Sequence, residues 1–459
     1  MTLPSGQLQY HEEREPISPA MPEGNVRTTV VRLFPSGAQQ KKIRRLADAS
    51  ARLYNEVNYE RRQQFFKDKR VDFKGTWDKY YEKYKRILGS ANAQAVLQKD
   101  NEAWSSFFSL LKNKDSLPPF TKHVSPPGYW KENEKRKLIL VVRQDRYEVD
   151  EERRVLILKD WKMEIPFAGR LRWFGTQGRL EVHIDGDKFY AHIPVDVGRV
   201  TTKKSKRPMK ESLIVHGERD RVQVKTPKGE KVASIDLGIN MLATVTVDDG
   251  TVLFYRGSTV KADYFYFQKK VAELDKLKAE AEKVQETEAR EEVLSERERL
   301  FKRLYRRLLH HYRALSSHLS KTLWQLGVST VYLGYPYSIS QDKGNKFTSN
   351  IWSYRKLVEA ITDKLHEYGI KAYLTVEYNT SRLCALHGVV VERKPRGVVS
   401  CPLGHRLHSD INGALNIMKL GIKRTVNVLK KPLSFLVSSN GVTPVKGSNT
   451  SDLGGTLAL

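Results

Sequence analysis

The period of the apolar positions changes along this chain. Val26 to Phe34 alternates, as a half-buried strand does, and Pro35-Ser36-Gly37 ends it. From Ala38 the spacing becomes helical through Ile43, Leu46, Ala47, Ala51, Leu53 and Tyr54, and it continues with breaks to about Lys114. Pro118-Pro119 and Pro126-Pro127-Gly128 mark a boundary. Short β-rich runs follow to about Val224: Leu138-Val142, Val155-Leu158, Leu171-Phe174, Arg179-Ile184 and Lys188-Pro194. Glycines and Asp185-Gly186-Asp187 punctuate them as turns. The pattern predicts a small barrel or sandwich. The strand near Val30 can pair with it, leaving 38–130 as a helical insertion.

Beyond Lys231 the pattern predicts a meander of Val232-Asp236, Leu242-Val247 and Val252-Tyr255, with a hairpin turn at Asp248-Asp249-Gly250. A helical stretch without Gly or Pro runs from about Tyr264 to Leu326. Its acidic middle, Glu280 to Glu298, predicts a bend between two antiparallel arms, and its stripe of Leu300, Leu304, Leu308 and Leu315 predicts a core face. Thr330-Gly334 reads as a strand, Ile351-Tyr368 as a helix, Lys371-Tyr378 as a strand and Asp410 to about Lys423 as a helix. This β-β-β-α-β-α-β-α order is the ribonuclease H arrangement.

The expected architecture is therefore α+β and multidomain. A flexible leader covers 1–25, a first barrel strand 26–37, a helical insertion 38–130 and a β-barrel 131–225. A nuclease-like domain covers 226–379 with its helical hairpin at 262–326, and a metal knuckle 380–408. The closing helix spans 409–425, and a Ser/Gly/Asn-rich tail, 426–459, is expected to be unstructured.

Charge narrows the function. Lys and Arg number 80 against 53 Asp and Glu, a net +27. An excess of that size calls for a polyanionic partner, most simply nucleic acid. Basic and aromatic residues interleave at Lys41, Lys42, Arg44, Arg45, Arg52, Tyr54, Arg61 and Arg62. Arg303, Arg306, Arg307 and Arg313 flank the leucine stripe. These are candidate contacts to nucleic acid, and Lys203-Lys204-Ser205-Lys206-Arg207 reads as a basic loop. No apolar run of about 18 residues is present to span a bilayer, and no signal peptide is visible. Two cysteines exclude a disulfide scaffold. A cytoplasmic protein with no membrane partner is expected.

Three acids carry the chemistry. A two-metal nuclease holds paired Mg²⁺ ions about 3.5–4 Å apart with carboxylates. In the ribonuclease H order Asp236 sits on the central strand and Asp410 opens the last helix. The third acid is expected at the end of the fourth strand, where Gly334 stands. The next strand ends at Glu377, so Asp236, Glu377 and Asp410 are the candidate catalytic set. Ordinary roles compete: a turn acid at Asp236, a helix cap at Asp410 or Ser409, a solvated strand end at Glu377. Asp248, Asp249 and Asp342 are rival acids, with Asp342 the substitute for Glu377.

Cys384-x₂-His387 and Cys401-x₃-His405 pair two thiolates with two imidazoles, a set that a closed, tetrahedral structural zinc accepts. His408 competes with His405. Two buried cysteines among surface histidines is the metal-free alternative. Lys394, Arg396, Arg406 and His408 are further candidates to meet phosphate.

Ser234-Ile235-Asp236-Leu237-Gly238, the run Tyr378-Asn379-Thr380-Ser381 to Cys384, and Ser409-Asp410-Ile411-Asn412-Gly413-Ala414-Leu415-Asn416 resemble the transposon-encoded TnpB family. These are compact RNA-guided relatives of type V CRISPR effector nucleases. Phe34-Pro35-x₃-Gln39 followed by Leu53-Tyr54-Asn55 resembles the family's opening. The resemblance implies a wedge-like barrel with a helical recognition insertion, a RuvC-type nuclease domain and a zinc knuckle. It also implies a guide RNA from the transposon end, double-stranded target DNA bearing a short adjacent motif, and a prokaryotic, nucleoid-associated setting. Two departures stand out. His387 and His405 replace two of the usual knuckle cysteines, and Gly334 replaces the second acid, a pattern that in similar members goes with a displaced glutamate matching Glu377. The leading expectation is a Mg²⁺-dependent, RNA-guided DNA endonuclease. The alternatives are a guided DNA binder that does not cut and a DNA strand transferase.

Overall fold

The computed structural model describes residues 17–19, 26–67, 70–113, 123–132, 135–173, 176–196, 214–215, 224–283, 287–335, 353–376, 380–395, 397–426 and 431–445. It is mixed α+β, and the chain divides into two units. One comprises Glu23–Leu117 and Lys122–Val224; the other comprises Met1–Pro22, Pro118–Thr121 and Lys225–Leu459. The described chain opens with a short strand, β1 (Ile17–Pro19).

In the first unit β2 (Val26–Leu33) turns Thr29, Val31 and Leu33 inward and leaves Val26 and Val30 exposed, as its alternation predicts. Three helices follow, α1 (Gly37–Phe66), α2 (Phe73–Leu88) and α3 (Ser90–Lys112). Ser36 starts α1 through a reciprocal capping box with Gln39, and Asp72 caps α2 through Gly75 N. Small strands β3 (Lys131–Glu132) and β4 (Lys135–Arg136) come next. Then follow β5 (Ile139–Val142), β6 (Tyr147–Asp150), β7 (Val155–Leu158), β8 (Met163–Ala168), β9 (Thr176–Gln177), β10 (Leu180–Asp185), β11 (Lys188–Asp196) and β12 (Ile214–Val215). The long sheet runs β12-β6-β7-β8-β2-β11-β10-β5, with β9 on β11. Its core takes Val31, Leu33 and Ala191 from the sheet and Ile43, Leu46 and Leu97 from the helices.

Apart from the two-residue strands β3, β4, β9 and β12, two longer strands here were not anticipated. β6 carries two acids yet buries Tyr147 and Val149, and β8 contains Pro166 yet alternates cleanly. Conversely, Leu171-Phe174 forms no strand: only Trp173 makes a bridge, and Phe174 lies outside the described residues, as does the basic loop at 203–207.

Packing removes two residues from the set expected to touch nucleic acid. Tyr54 is buried and stacked on Trp130, with centroids 4.3 Å apart. Arg61 is fully buried, bonding Asp100 at 2.6 Å, Thr76 at 3.0 Å and the Phe73 carbonyl at 3.2 Å. Helical periodicity marked both as basic or aromatic but could not say that their face turned inward. Burial pushes the Asp100 carboxyl up to about 6 despite its partner and lowers the Arg61 pKa, so desolvation outweighs the attraction. Arg61→Met is therefore expected to cost about 3–5 kcal/mol by leaving a buried carboxylate alone. The double variant Arg61→Met/Asp100→Leu should recover much of that loss in urea denaturation.

The second unit is built on the sheet β1-β17-β16-β13-β14-β15-β20-β21. Its meander is β13 (Lys231–Asp236), β14 (Met241–Val247) and β15 (Val252–Arg256). Helices α4 (Ser258–Lys283) and α5 (Thr287–Gln325) form the hairpin, and β16 (Val328–Tyr335), α6 (Tyr354–Glu367) and β17 (Lys371–Val376) follow. β16 runs parallel to both β13 and β17. The leucine stripe does enter the core: Leu304, Leu308 and Leu315 pack with Val260, Ile361 and the sheet residues Ile235 and Leu333. The knuckle carries β18 (Val398–Ser400) and β19 (Arg406–His408), and α7 (Ser409–Ile422) closes the nuclease-like order.

Both ends of this unit correct the expected disorder. β1 pairs antiparallel with β17, although it falls in the Pro-rich leader. β20 (Leu433–Ser438) runs parallel to β15 and turns through Ser439-Asn440 into β21 (Gly441–Pro444). Leu433, Phe435 and Val437 join the main core. The Ser and Gly content of the tail hid a period of two. Among the described residues no helix is long and apolar enough to cross a membrane.

Candidate metal centres on the sheet and knuckle

Asp236 ends β13. Alternation puts Ala233 and Ile235 into the core with α5 and α6, and Ser234 and Asp236 on the opposite face, where α7 lies. Ser234 Oγ donates to the Ala414 carbonyl at 2.6 Å and also meets Thr246 Oγ1 at 2.7 Å, which seats the helix on the strand. Two glycines let α7 come close. A Cβ at Gly413 would stand 2.7 Å from Asp236 Oδ2, and one at Gly421 would stand 2.5 Å from the Tyr332 ring. Gly413 lies one turn beyond Asp410, so the same helix face carries a carboxylate and the space for a second one.

Asp410 sits in the first turn of α7. The cap is His408, whose Nδ1 accepts from Asp410 N at 3.3 Å, rather than Asp410 or Ser409. Ser409 Oγ donates to Asp410 Oδ1 at 3.1 Å. Burial and the nearby Asp410 charge push the Asp236 carboxyl up to about 7, while the Leu237 amide and the Arg393 guanidinium act in the opposite direction. A carboxyl whose ionisation is held back by burial and by a neighbouring carboxylate is suited to a divalent cation. Arg393, on the knuckle, is the basic residue near this pair that sequence reasoning passed over; its neighbours Lys394 and Arg396 drew attention instead.

The other expected acids divide. Glu377 and Asp342 lie outside the described residues. Gly334 stands where the fourth-strand acid was expected: the β13–β16 register pairs Ile235 with Leu333, and Gly334 is the next residue, itself paired with Thr375 on β17. Asp248 and Asp249 have structural roles. Asp249 bonds Lys231 at 2.9 Å and Thr251 N at 3.0 Å, which hold its carboxyl well below the usual range; Asp248 pairs with Arg424 at 3.5 Å.

The second centre is the knuckle. Ligand atoms of Cys384, His387, Cys401 and His405 all lie within 4.8 Å of one another. His387 Nδ1 is 3.3 Å from Cys401 Sγ, and the two imidazoles stack at 4.5 Å. Cys384 and Cys401 are buried as free thiols, and His405 Nδ1 is buried without a hydrogen-bond partner among the described residues. That unsatisfied nitrogen and the two converging sulfurs fit a four-ligand tetrahedral ion such as zinc. His408 belongs instead to the helix cap.

Two asparagines join the centres. Asn412 accepts from Ala385 N at 2.9 Å and donates to the Leu383 carbonyl at 2.8 Å. Asn416, one turn on, donates to the Thr380 and Leu383 carbonyls at 2.7 and 2.9 Å. The knuckle is thereby strapped to the helix that carries Asp410.

Among the expected basic contacts, Arg303, Arg306, Arg307 and Arg313 are exposed on α5, though Arg307 is held bidentately by Asp263 at 2.7 and 2.9 Å. Lys41 and Arg45 are exposed, whereas Lys42 bonds the Trp161 carbonyl and Arg44 the Gly186 carbonyl. Arg62 donates to the carbonyls of Pro126 and Pro127, and Arg52 pairs with Asp48 at 3.1 Å.

Comparison with known proteins adds to this geometry. Residues 192–340 match the family model described as a probable transposase (OrfB_IS605), and residues 354–417 match the Cas12f1-like TNB domain. A solved structure of a Cas12f1–sgRNA–target DNA complex superposes with a TM-score of 0.50 at 15% identity, covering 85% of this chain and 98% of that one. That likeness extends the shared fold over most of the chain. The TnpB-like protein ORF457 of Acidianus two-tailed virus is 59% identical, with 96% of this chain and 99% of that protein aligned. An identity of that depth over nearly both full lengths, with the two acids and the Cys/His knuckle in one unit, makes this chain a member of the TnpB-like family.

Proposed function

We propose that the chain is an RNA-guided DNA endonuclease with a RuvC-type, ribonuclease H-like active site. The observation that carries the reading is the meeting of Asp236 and Asp410 beside Gly413, whose missing side chain leaves room for Asp236. The sheet path β17-β16-β13-β14-β15 supports the ribonuclease H assignment, and β2 with β5–β11 supports the wedge-like barrel. Glu377 is proposed as the third acid. Thr375 lies level with Gly334, and Glu377 follows it two residues later in the sequence. Magnesium at these acids would stabilise the charge that develops on the attacking and leaving oxygens of a phosphodiester. Asp236, Asp410 and Glu377 would hold the magnesium, and Arg393 would offer a guanidinium to the phosphate. The guide RNA reads sequence, double-stranded DNA with a short adjacent motif is the target, and the +27 surplus draws both. Zinc in the knuckle is structural, and the exposed arginines of α5 contact phosphate.

The test is Glu377→Gln. Lost cleavage with retained guide-dependent DNA binding is the expected result. Gly334 favours a second reading, a guided binder that does not cut; absence of cleavage by the wild-type protein with Mg²⁺ would select it. Sequencing the nucleic acid that co-purifies from the native host should recover one defined transcript. Gly413→Ala is expected to lower cleavage about 10²-fold with little loss of stability, because an ångström-scale displacement of Asp236 suffices. Single-turnover cleavage beside thermal melting would check it.

A further inference from the structure

The first unit contains an open groove of about 420 Å³, lined by residues of α1, α2 and the segment that follows α3. Sites for small ligands occupy roughly 300–1,000 Å³. Tyr59 on α1 and Tyr129 line it, 56% and 41% exposed, although Tyr80 in the same lining is buried. Tyr129 does not sit on a loose loop. Asn58 holds the carbonyls of Pro127 and Gly128, Arg62 those of Pro126 and Pro127, and Asn55 bonds Trp130 N and the Trp130 carbonyl. The Arg62 guanidinium also lies 5.4 Å from the Tyr129 ring centroid. An exposed ring on so firmly fixed a backbone is a preformed stacking platform.

The cationic side of the groove is equally fixed. Arg52 and Arg136 share one carboxylate, Asp48, at 3.1 and 2.8 Å. Both bonds use Nε, which leaves the terminal Nη donors for an anion. Across the groove Glu56 is neutralised by Lys83 at 2.7 Å, so it opposes an anion little.

From this geometry we propose that the groove binds one unpaired nucleotide of a single strand, its base stacked on Tyr59 or Tyr129 and its phosphate on Arg52 and Arg136. The proposal rests on the nucleic-acid reading above but not on cleavage. The strand is either RNA or displaced DNA, since both present a base and a phosphate.

The test uses the full chain freed of bound nucleic acid and fluorescein-labelled 12-mers of uridine, of thymidine and of an abasic deoxyribose phosphate. Alanine at the ring that the base covers, Tyr129→Ala or Tyr59→Ala, is expected to weaken base-bearing strands about ten-fold and to leave the abasic strand unchanged. Tyr→Phe at either position should restore binding, which separates stacking from misfolding. Arg136→Gln should weaken all three strands and lower the salt slope by about 1. A loss confined to the uridine strand identifies RNA as the occupant, and one confined to thymidine identifies DNA. Equal losses on base-bearing and abasic strands, or none, would overturn the groove as a base site. Repeating the series in Asp410→Asn keeps the two readings apart: base-dependent binding there supports the groove even if no variant ever cuts.

Discussion

Asp410→Asn is expected to abolish strand scission, by at least about 10³-fold, while guide-dependent DNA binding persists. The asparagine keeps the shape of the first turn of α7 and its His408 cap, so the helix should stay seated on β13 through Ser234 and Ala414. What disappears is one of the three carboxylates proposed to hold the divalent ions, whose charge would contribute several kcal/mol at the transition state. A single-turnover assay beside a filter-binding assay reads both quantities, and substantial residual cleavage would remove Asp410 from the reaction. The same substitution relieves Asp236. In the metal-free protein burial and the Asp410 charge push the Asp236 carboxyl up to about 7, against about 4 in the unfolded chain. The folded state thus binds the extra proton. The stability from this group is complete below about pH 4 and is lost as pH rises through about 7. In EDTA, Tm of Asp236→Asn relative to wild type should climb between pH 4 and 7, and the difference should shrink when millimolar Mg²⁺ is added. A flat difference would mean that the Asp236 carboxyl is not raised in the folded protein.

Cys401→Ser should remove close to one equivalent of zinc and unfold the knuckle. The four ligands are held by short chain reversals, with Cys401 N bonded to the His405 carbonyl at 2.7 Å and Gly404 N to the Cys401 carbonyl at 3.0 Å. Among the described residues the local apolar cluster is Cys384, Val391, Val399 and Cys401 with a few partners, too little to fold alone. Structural zinc of this kind contributes about 10–16 kcal/mol of binding free energy, which becomes folding free energy. Metal analysis and proteolysis within 380–408 would register the loss, while α1–α3 and their sheet should keep their own resistance. The consequence should reach the acids. Asn412 and Asn416 tie Thr380, Leu383 and Ala385 to α7, so an unfolded knuckle frees the helix that carries Asp410 and removes Arg393 from Asp236. Divalent-cation affinity measured with Mn²⁺ should fall together with zinc, and retention of full affinity in a zinc-free protein would separate the centres.

The order of periods along the chain was enough to read most of the elements. The meander, the parallel strands and the last helix appear within a residue or two of the expected positions, because strand and helix alternations are local properties. The soft ligand pairs and the run Asp410-Ile411-Asn412-Gly413-Ala414-Leu415-Asn416 were likewise legible, since spacing alone limits what such residues can do. Only the tertiary structure assigned the tasks inside that run: one residue faces Asp236, one leaves it room, and two strap the knuckle. These are contacts between segments far apart in sequence. The same limit explains the errors. Arg61 and Tyr54 looked like surface contacts until the packing of α1 against α2, α3 and Trp130 turned them inward. The segments at β1 and β20–β21 looked too polar or Pro-rich to be ordered until a sheet edge offered them backbone partners. Composition and periodicity report what a segment can bury by itself, whereas burial against another segment depends on which one arrives, and that is decided by the whole fold.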